Sequence, residues 1–318
     1  NMWPLNYYFF FDWNIDGFLS AGNIGLFMIV WGVLMFLLIS PVLTYFYGKR
    51  WYCSWVCGCG GLAETAGDPF RHLSDKSLKA WQIERWWIHL GLVFATVMTV
   101  AVLFSYFSAK GDLWISKPVF LGILFLMGLA VAGIVVRNRS SIAKSHARLP
   151  NILLGIVAII LVLVLIAFFT GSWHPFFIDG GTLRSAYGFW VGAAFSGVVG
   201  VGFYPILGSR VWCRFGCPMA ALLGIQQKFF SRFRITTNGG QCISCGNCST
   251  YCEMGIDVRS YAQKGQNVVR ASCVGCGICA AVCPRGVLRL ENGSADVFQK
   301  TDELKAIHIS ENEVRILS

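Results

Sequence analysis

Apolar residues along the 318-residue chain come in long unbroken runs, not in the alternation of strands or the three-to-four spacing of surface helices. Five runs, at about 24–47, 87–108, 118–136, 151–170 and 186–208, contain no Asp, Glu, Lys or Arg. Each is close to the ~20 residues that cross a bilayer core. So many runs within one stretch argue against buried helices of a large soluble domain and predict five transmembrane helices in a region spanning 23–208. Residues 1–22 are rich in rings (Trp3, Tyr7, Tyr8, Phe9, Phe10, Phe11, Trp13) and carry only Asp12 and Asp16, which predicts an interfacial segment. Beyond 208 the pattern changes. Arg210, Arg214, Lys228, Arg232 and Arg234 flank a short amphipathic stretch, so 209–237 reads as a connector lying on the membrane surface. Residues 238–293 are cysteine-rich, and the tail 294–318 alternates weakly (Ala306-Ile-His-Ile-Ser, Val314-Arg-Ile-Leu), predicting a small strand or hairpin.

Composition supports the membrane reading. The chain is 55% hydrophobic with a mean hydropathy of +0.59, and its 13% charged residues fall well below the roughly 25% of globular domains. The 35 glycines and 12 tryptophans fit membrane helices and their boundaries. A net charge of +10 would fit nucleic acid, but its distribution is topological. Lys49, Arg50, Arg71, Lys76, Lys79 and Arg85 lie between the first two runs, and Arg137, Arg139, Lys144 and Arg148 between the third and fourth. The opposite side offers Lys110, Lys117 and Arg184. The positive-inside rule then places the start of the chain outside and the cysteine-rich module on the cytoplasmic side of a bacterial inner membrane, with the lipid bilayer and not nucleic acid as partner. The chain opens on Asn1 instead of methionine, which reads as upstream residues lying outside this numbering.

The chemistry is concentrated in 242–284. Cys242-Ile-Ser-Cys245-Gly-Asn-Cys248-Ser-Thr-Tyr-Cys252 and Cys273-Val-Gly-Cys276-Gly-Ile-Cys279-Ala-Ala-Val-Cys283-Pro284 both have the C-x2-C-x2-C-x3-C spacing. In such runs three thiolates hold one cubane and the fourth serves the other. This assigns Cys242, Cys245, Cys248 and Cys283 to one [4Fe–4S] cluster, and Cys273, Cys276, Cys279 and Cys252 to a second. Gly246 and Gly277 ease the turns that three ligands on one loop demand. Two structural zinc sites are the competing reading, disfavoured by two complete runs. Glu253 stands where the second run has Pro284 and changes no ligand. Thirteen cysteines in a chain of this length do not describe a secreted disulfide scaffold. Thiolates kept reduced for loading suit a cytosol-facing module. The fold class is therefore an α-helical integral membrane bundle with a C-terminal α+β two-cluster ferredoxin module.

An internal repeat adds a second constellation. Gly48-Lys-Arg50-Trp-Tyr-Cys53-Ser-Trp-Val-Cys57 recurs as Gly208-Ser-Arg210-Val-Trp-Cys213-Arg-Phe-Gly-Cys217, sharing G-x-R-x-[WY]-C-x3-C at the cytoplasmic ends of two predicted spans. If helical, cysteines at i and i+4 sit about 5–6 Å apart at Cβ, too far for a relaxed disulfide. Joined, the copies offer Cys53, Cys57, Cys213 and Cys217 for a third centre, an iron–sulfur cluster or a single metal ion. Free or transiently oxidised thiols are the alternative, and Cys59 is an alternative ligand.

These residues resemble the membrane polyferredoxins: the NapH-type quinol dehydrogenase subunits and the membrane part of NosR-type proteins. The resemblance covers about 24–293. The family's C-x3-C-P reading is met by Cys213, Cys217 and Pro218, whereas Gly58 follows Cys57. It implies an iron–sulfur electron-transfer subunit working between a quinol or cytosolic donor and other subunits of a respiratory complex, with quinone as a further cofactor. An extracytoplasmic flavin domain precedes the membrane part in NosR-type proteins. A role in maturation or regulation of a metalloenzyme is the alternative that the family also implies. His89, in the second run, is a candidate for quinone or haem contact, set against a helix-packing role, and His174, in an outer loop, for docking a partner or closing a quinone pocket, set against a structural cap. Gly188, Gly192, Gly197, Gly200 and Gly202 fit close helix packing. Nucleotide-binding loops and hydrolytic triads are absent from the sequence.

Overall fold

The computed structural model describes residues 2–109, 117–137, 139, 149–170, 180–238, 241–293, 306–310 and 313–317. Its helices are α1 (Asp12–Ser20), α2 (Asn23–Tyr47), α3 (Leu78–Ala109), α4 (Lys117–Arg137), α5 (Leu149–Thr170), α6 (Gly180–Gly202) and α7 (Pro218–Phe230), with several short turns of helix between them. Among the described residues four helical segments are long and apolar enough to cross a membrane: Asn23–Tyr47, Leu78–Phe107, Pro118–Arg137 and Gly180–Gly202. These match four of the five expected spans. The remaining one falls on α5, a 22-residue helix, several of whose side chains lie outside the described residues. The spans expose most of their apolar side chains, including Phe27, Leu37, Leu126 and Trp190, as a lipid-facing surface must.

The chain divides into two compact units. One comprises 10–16 and 97–186. Within it α4 and α5 pack together, with Gly128 closely against Leu161, and Tyr106 donates a hydrogen bond to Asp16 at 2.7 Å. The other comprises 1–9, 17–96 and 187–318 and contains all thirteen cysteines. Residues 2–9 pack into this unit: the Trp3 ring meets Phe36 edge-on at 4.8 Å, and the Met2 N–H donates to the Tyr52 hydroxyl at 3.2 Å.

The connector is built into the protein. In helix α7 Met219 and Leu223 are fully buried beside Trp51, Tyr52 and Trp212, because Met219, Ala220 and Leu223 place an apolar stripe at helical spacing. Strand β1 (Phe233–Thr237) pairs antiparallel with β2 (Leu288–Asn292), in register from Phe233↔Asn292 to Thr237↔Leu288. The cysteine-rich module thus draws its first strand from the connector. Its core is Ile235, Met254, Ile256, Val258, Val268, Val274 and Leu288. In the tail β3 (Ala306–Ser310) and β4 (Glu313–Leu317) form the antiparallel hairpin that its alternation predicts.

Candidate functional site

All thirteen cysteines are free thiols. Eight of them surround two cavities. Cys242, Cys245, Cys248 and Cys283 line one, with Pro284, Arg259 and Arg285 at its walls. Cys252, Cys273, Cys276 and Cys279 line the other, with Glu253, Met254 and Ile278. Each holds about 350 Å³ not occupied by protein atoms, part of it open to solvent. In both runs the last cysteine crosses to the other cavity. The crossing is built locally: Gly246 and Gly277 take φ of 86° and 81° and start short helical turns, Asn247–Thr250 and Ile278–Ala281, that carry Cys248 and Cys279 inward.

Apolar walls, four sulfurs and backbone donors are what an iron–sulfur cluster requires. The Ile256 N–H donates to Cys252 Sγ at 3.4 Å. Burial pushes the thiols of Cys252 and Cys276 up to about 12 and that of Cys273 to about 11. Burial pushes Cys283 up too, but the N–H groups of Arg285, Val287, Leu288 and Gly286 outweigh it and leave that thiol below its ordinary value. Coordination by iron would deprotonate all of them. Among the described residues no three His, Cys, Asp or Glu side chains converge as a single metal ion needs.

The repeat also comes together. Cys53, Cys57, Cys213 and Cys217 are all buried in one core with Trp51, Tyr52, Trp212 and Met219. The two copies share a backbone. Gly48 and Gly208 have φ of 67° and 89°, a short helical turn follows, and the second cysteine's N–H donates to the carbonyl five residues back: Cys57 to Tyr52 at 2.8 Å, Cys217 to Trp212 at 2.9 Å. That second cysteine is extended (ψ 123° and 113°) and starts the next helix. The C-x3-C pairs are therefore not one regular α-turn. Pro218 suits the first helical position after that break, and with Gly58 in that place the first copy still takes the same backbone, Cys57 and Cys217 sharing φ of −75°. Burial pushes Cys53 up to about 12 and raises Cys213 and Cys217. Cys59 is half-buried, and its hydrogen bond to Cys57, more than burial, raises it and lowers Cys57.

Buried charge joins this set to the module. Arg210, 1% exposed, donates to the Cys53 carbonyl at 3.0 Å and to Glu64 at 2.5 Å, and pairs with Glu253 at 3.1 Å. Burial works against its charge, but Cys213, Glu253, Cys53 and Glu64 outweigh that and raise its pKa. Arg214 meets Glu84 at 2.7 Å, which also holds Arg270 at 3.3 Å, and Ser74 donates to the Glu253 carbonyl at 2.7 Å. The sequence left Arg210 and Glu253 unremarked as a pair. The arginine shared by both repeat copies was the available signal. His89 Nδ1 lies 2.7 Å from the Arg85 carbonyl of its own helix, so a local hydrogen bond accounts for it; His174 lies outside the described residues.

The chain thus joins helices long and apolar enough to cross a membrane to a ferredoxin-type module and a duplicated cysteine motif. A 4Fe-4S dicluster domain matches residues 241–288, and a 4Fe-4S binding domain matches twice, at 29–77 and 188–236, each time over one copy of the repeat. Over 54 residues, 17% of this chain and 15% of the relative, the chain is 39% identical to the protein named "Putative electron transport protein YccM" of Escherichia coli (strain K12). No solved structure matches the chain.

Proposed function

We propose that this protein passes single electrons between a donor at the membrane, of the quinol class, and a redox partner complex, through two [4Fe–4S] clusters in the ferredoxin module and a third iron–sulfur centre at the membrane edge. The observation that carries this reading is the sorting of eight cysteines into two cavities, each completed by the fourth cysteine of the other run. Cys242, Cys245, Cys248 and Cys283 are the ligands of one cluster, and Cys273, Cys276, Cys279 and Cys252 of the other. Cys53, Cys57, Cys213 and Cys217 are the ligands of the third, supported by the 4Fe-4S binding domain that matches both copies. When bound, such clusters store and release one electron at a time over a wide range of potentials. The chain supplies ligand placement, apolar walls, and N–H groups and buried cations that favour the reduced form.

The resemblance to NapH-type and NosR-type proteins supports the quinol donor and the respiratory partner. The asymmetry of Lys and Arg between loops supports an inner-membrane protein with its module in the cytoplasm. Adding a menaquinol analogue anaerobically to the protein in lipid vesicles should reduce the clusters, seen as bleaching near 400 nm. No bleaching, with dithionite still effective, removes the quinol donor. The grouping of Cys53, Cys57, Cys213 and Cys217 in one core, with Cys59 packed against it, supports, as a second reading, thiol-based metal handling during maturation of a partner enzyme. A deletion strain separates the two: a mature but electron-starved partner fits the relay, and a metal-deficient partner fits maturation.

A further inference from the structure

Lys49 is fully buried, at 0% exposure. Its ammonium donates to the Ala271 carbonyl at 3.4 Å, and among the described residues no carboxylate pairs with it. Arg210 and Arg214, buried to a similar degree, are each matched by a carboxylate at 3.1 Å or closer. A buried ammonium without a counter-charge is costly, and native proteins pair such groups. What adjoins this one are cysteine-bearing segments: the Cys53 N–H donates to the Lys49 carbonyl at 3.1 Å, and Ala271 lies two residues before Cys273. The Lys49 charge favours the thiolates of Cys53 and Cys213 in the repeat and of Cys273 in the module. Gln227 fixes the arrangement from both ends: its Oε1 accepts the Lys49 backbone N–H at 2.6 Å, and its Nε2 donates to the Cys273 carbonyl at 2.7 Å. The repeat is asymmetric here. The equivalent residue in the second copy is Ser209, also buried, at 1% exposure.

Four thiolates outweigh the positive charge of a cubane core, so each loaded site carries net negative charge, and each added electron makes it more negative by one. We infer that Lys49 is a counter-cation shared by two anionic redox sites, the membrane-edge set Cys53, Cys57, Cys213, Cys217 and the module set Cys252, Cys273, Cys276, Cys279, making both easier to reduce. This inference rests on the iron–sulfur reading of those sites. It singles out the module site next to the repeat, because the Lys49 ammonium reaches the Ala271 carbonyl, two residues before Cys273, and Gln227 bridges the Lys49 backbone to the Cys273 carbonyl.

The test is an EPR-monitored potentiometric titration of the full chain in detergent, comparing wild type with Lys49→Met, Lys49→Gln and Lys49→Arg, with iron counted in each. In the two uncharged variants the reduction equilibrium of both adjoining sites should fall at least tenfold, about 59 mV for one electron. The Cys242-containing site and the Lys49→Arg variant should stay within about threefold of wild type. Iron lost in both uncharged variants but kept in Lys49→Arg would support the same role, since charge and not shape is then what the sites need. Uncharged variants that load fully with unmoved potentials overturn it, as does Lys49→Arg behaving like Lys49→Met. Wild-type protein without iron would instead sink the iron–sulfur reading itself, before any variant is compared.

Discussion

Replacing Arg210 with glutamine removes the one cation that ties the repeat to the module through Glu253. The Arg210 side chain is 0% exposed and that of Glu253 1% exposed, 3.1 Å apart, so the variant leaves a carboxylate buried without its partner. Breaking such a pair from one side costs about 3–5 kcal/mol. The second partner, Glu64, is 34% exposed, and solvent screening limits its share to about 1 kcal/mol or less. At about 2–4 °C per kcal/mol for a chain of this order of size, the apparent unfolding midpoint should fall by about 6–20 °C. Circular dichroism of the detergent-solubilised protein, melted with its iron in place, reads this directly. Adding Glu253→Gln to Arg210→Gln should recover most of the loss, because the orphaned charge is then gone, whereas Glu64→Gln alone should cost about 1 kcal/mol at most. A loss under about 1 kcal/mol for Arg210→Gln, or a Glu64→Gln cost equal to it, would refute the assignment of the energy to the Glu253 pair.

The crossed ligation gives a sharper spectroscopic expectation: Cys283→Ser should remove the cluster signal belonging to Cys242, Cys245 and Cys248, and Cys252→Ser that of the second run; loss of the signal of its own run in either variant would contradict the crossing. Stability should also depend on alkaline pH when iron is absent and hardly at all when it is bound. In the iron-free protein the buried thiols of Cys53, Cys252, Cys273 and Cys276 are raised to about 11–12 from an ordinary 9, outnumbering Cys57 and Cys283, which are lowered. The folded state therefore keeps protons that the unfolded chain releases above about pH 9, so stability is full below that pH and declines as pH climbs towards 11–12. Melting midpoints at pH 8 and 10.5 should differ for the iron-free protein but hardly for the loaded one, whose thiols are already deprotonated. Equal midpoints in the iron-free protein would contradict the burial of these thiols.

Much of this organisation is legible in the residues alone. Spans announce themselves because a bilayer demands long uncharged helices, and the eight cysteines because one cubane needs closely spaced thiolates on one loop. The repeat was visible as well, but its geometry was not. Cys57 and Cys217 leave the helical turn and begin the next helix, a backbone choice governed by Gly58 and Pro218, which a C-x3-C spacing does not reveal. In helix α7 Lys228 and the arginines around it dominate the pattern, and the burial of Met219 and Leu223 in one core with Trp51, Tyr52 and Trp212 emerges only from the tertiary packing. Strand β1 was hidden for a related reason: Phe233-Arg-Ile-Thr-Thr237 alternates over only five residues and becomes a strand through its partner Leu288–Asn292, fifty residues later. Lys49 and Glu253 were beyond sequence reasoning altogether, since nothing local distinguishes a buried charge from a solvated one.

Anaerobic quantitation of iron and acid-labile sulfide, with EPR of the dithionite-reduced protein, addresses the account most directly. Two ferredoxin-type clusters and a membrane-edge cluster require about twelve irons and an equal amount of sulfide per chain, with the excess over about eight lost in Cys53→Ser and Cys213→Ser. A count of about eight that these variants leave unchanged would contradict the membrane-edge centre, and iron near zero with zinc in its place would contradict electron transfer by this chain.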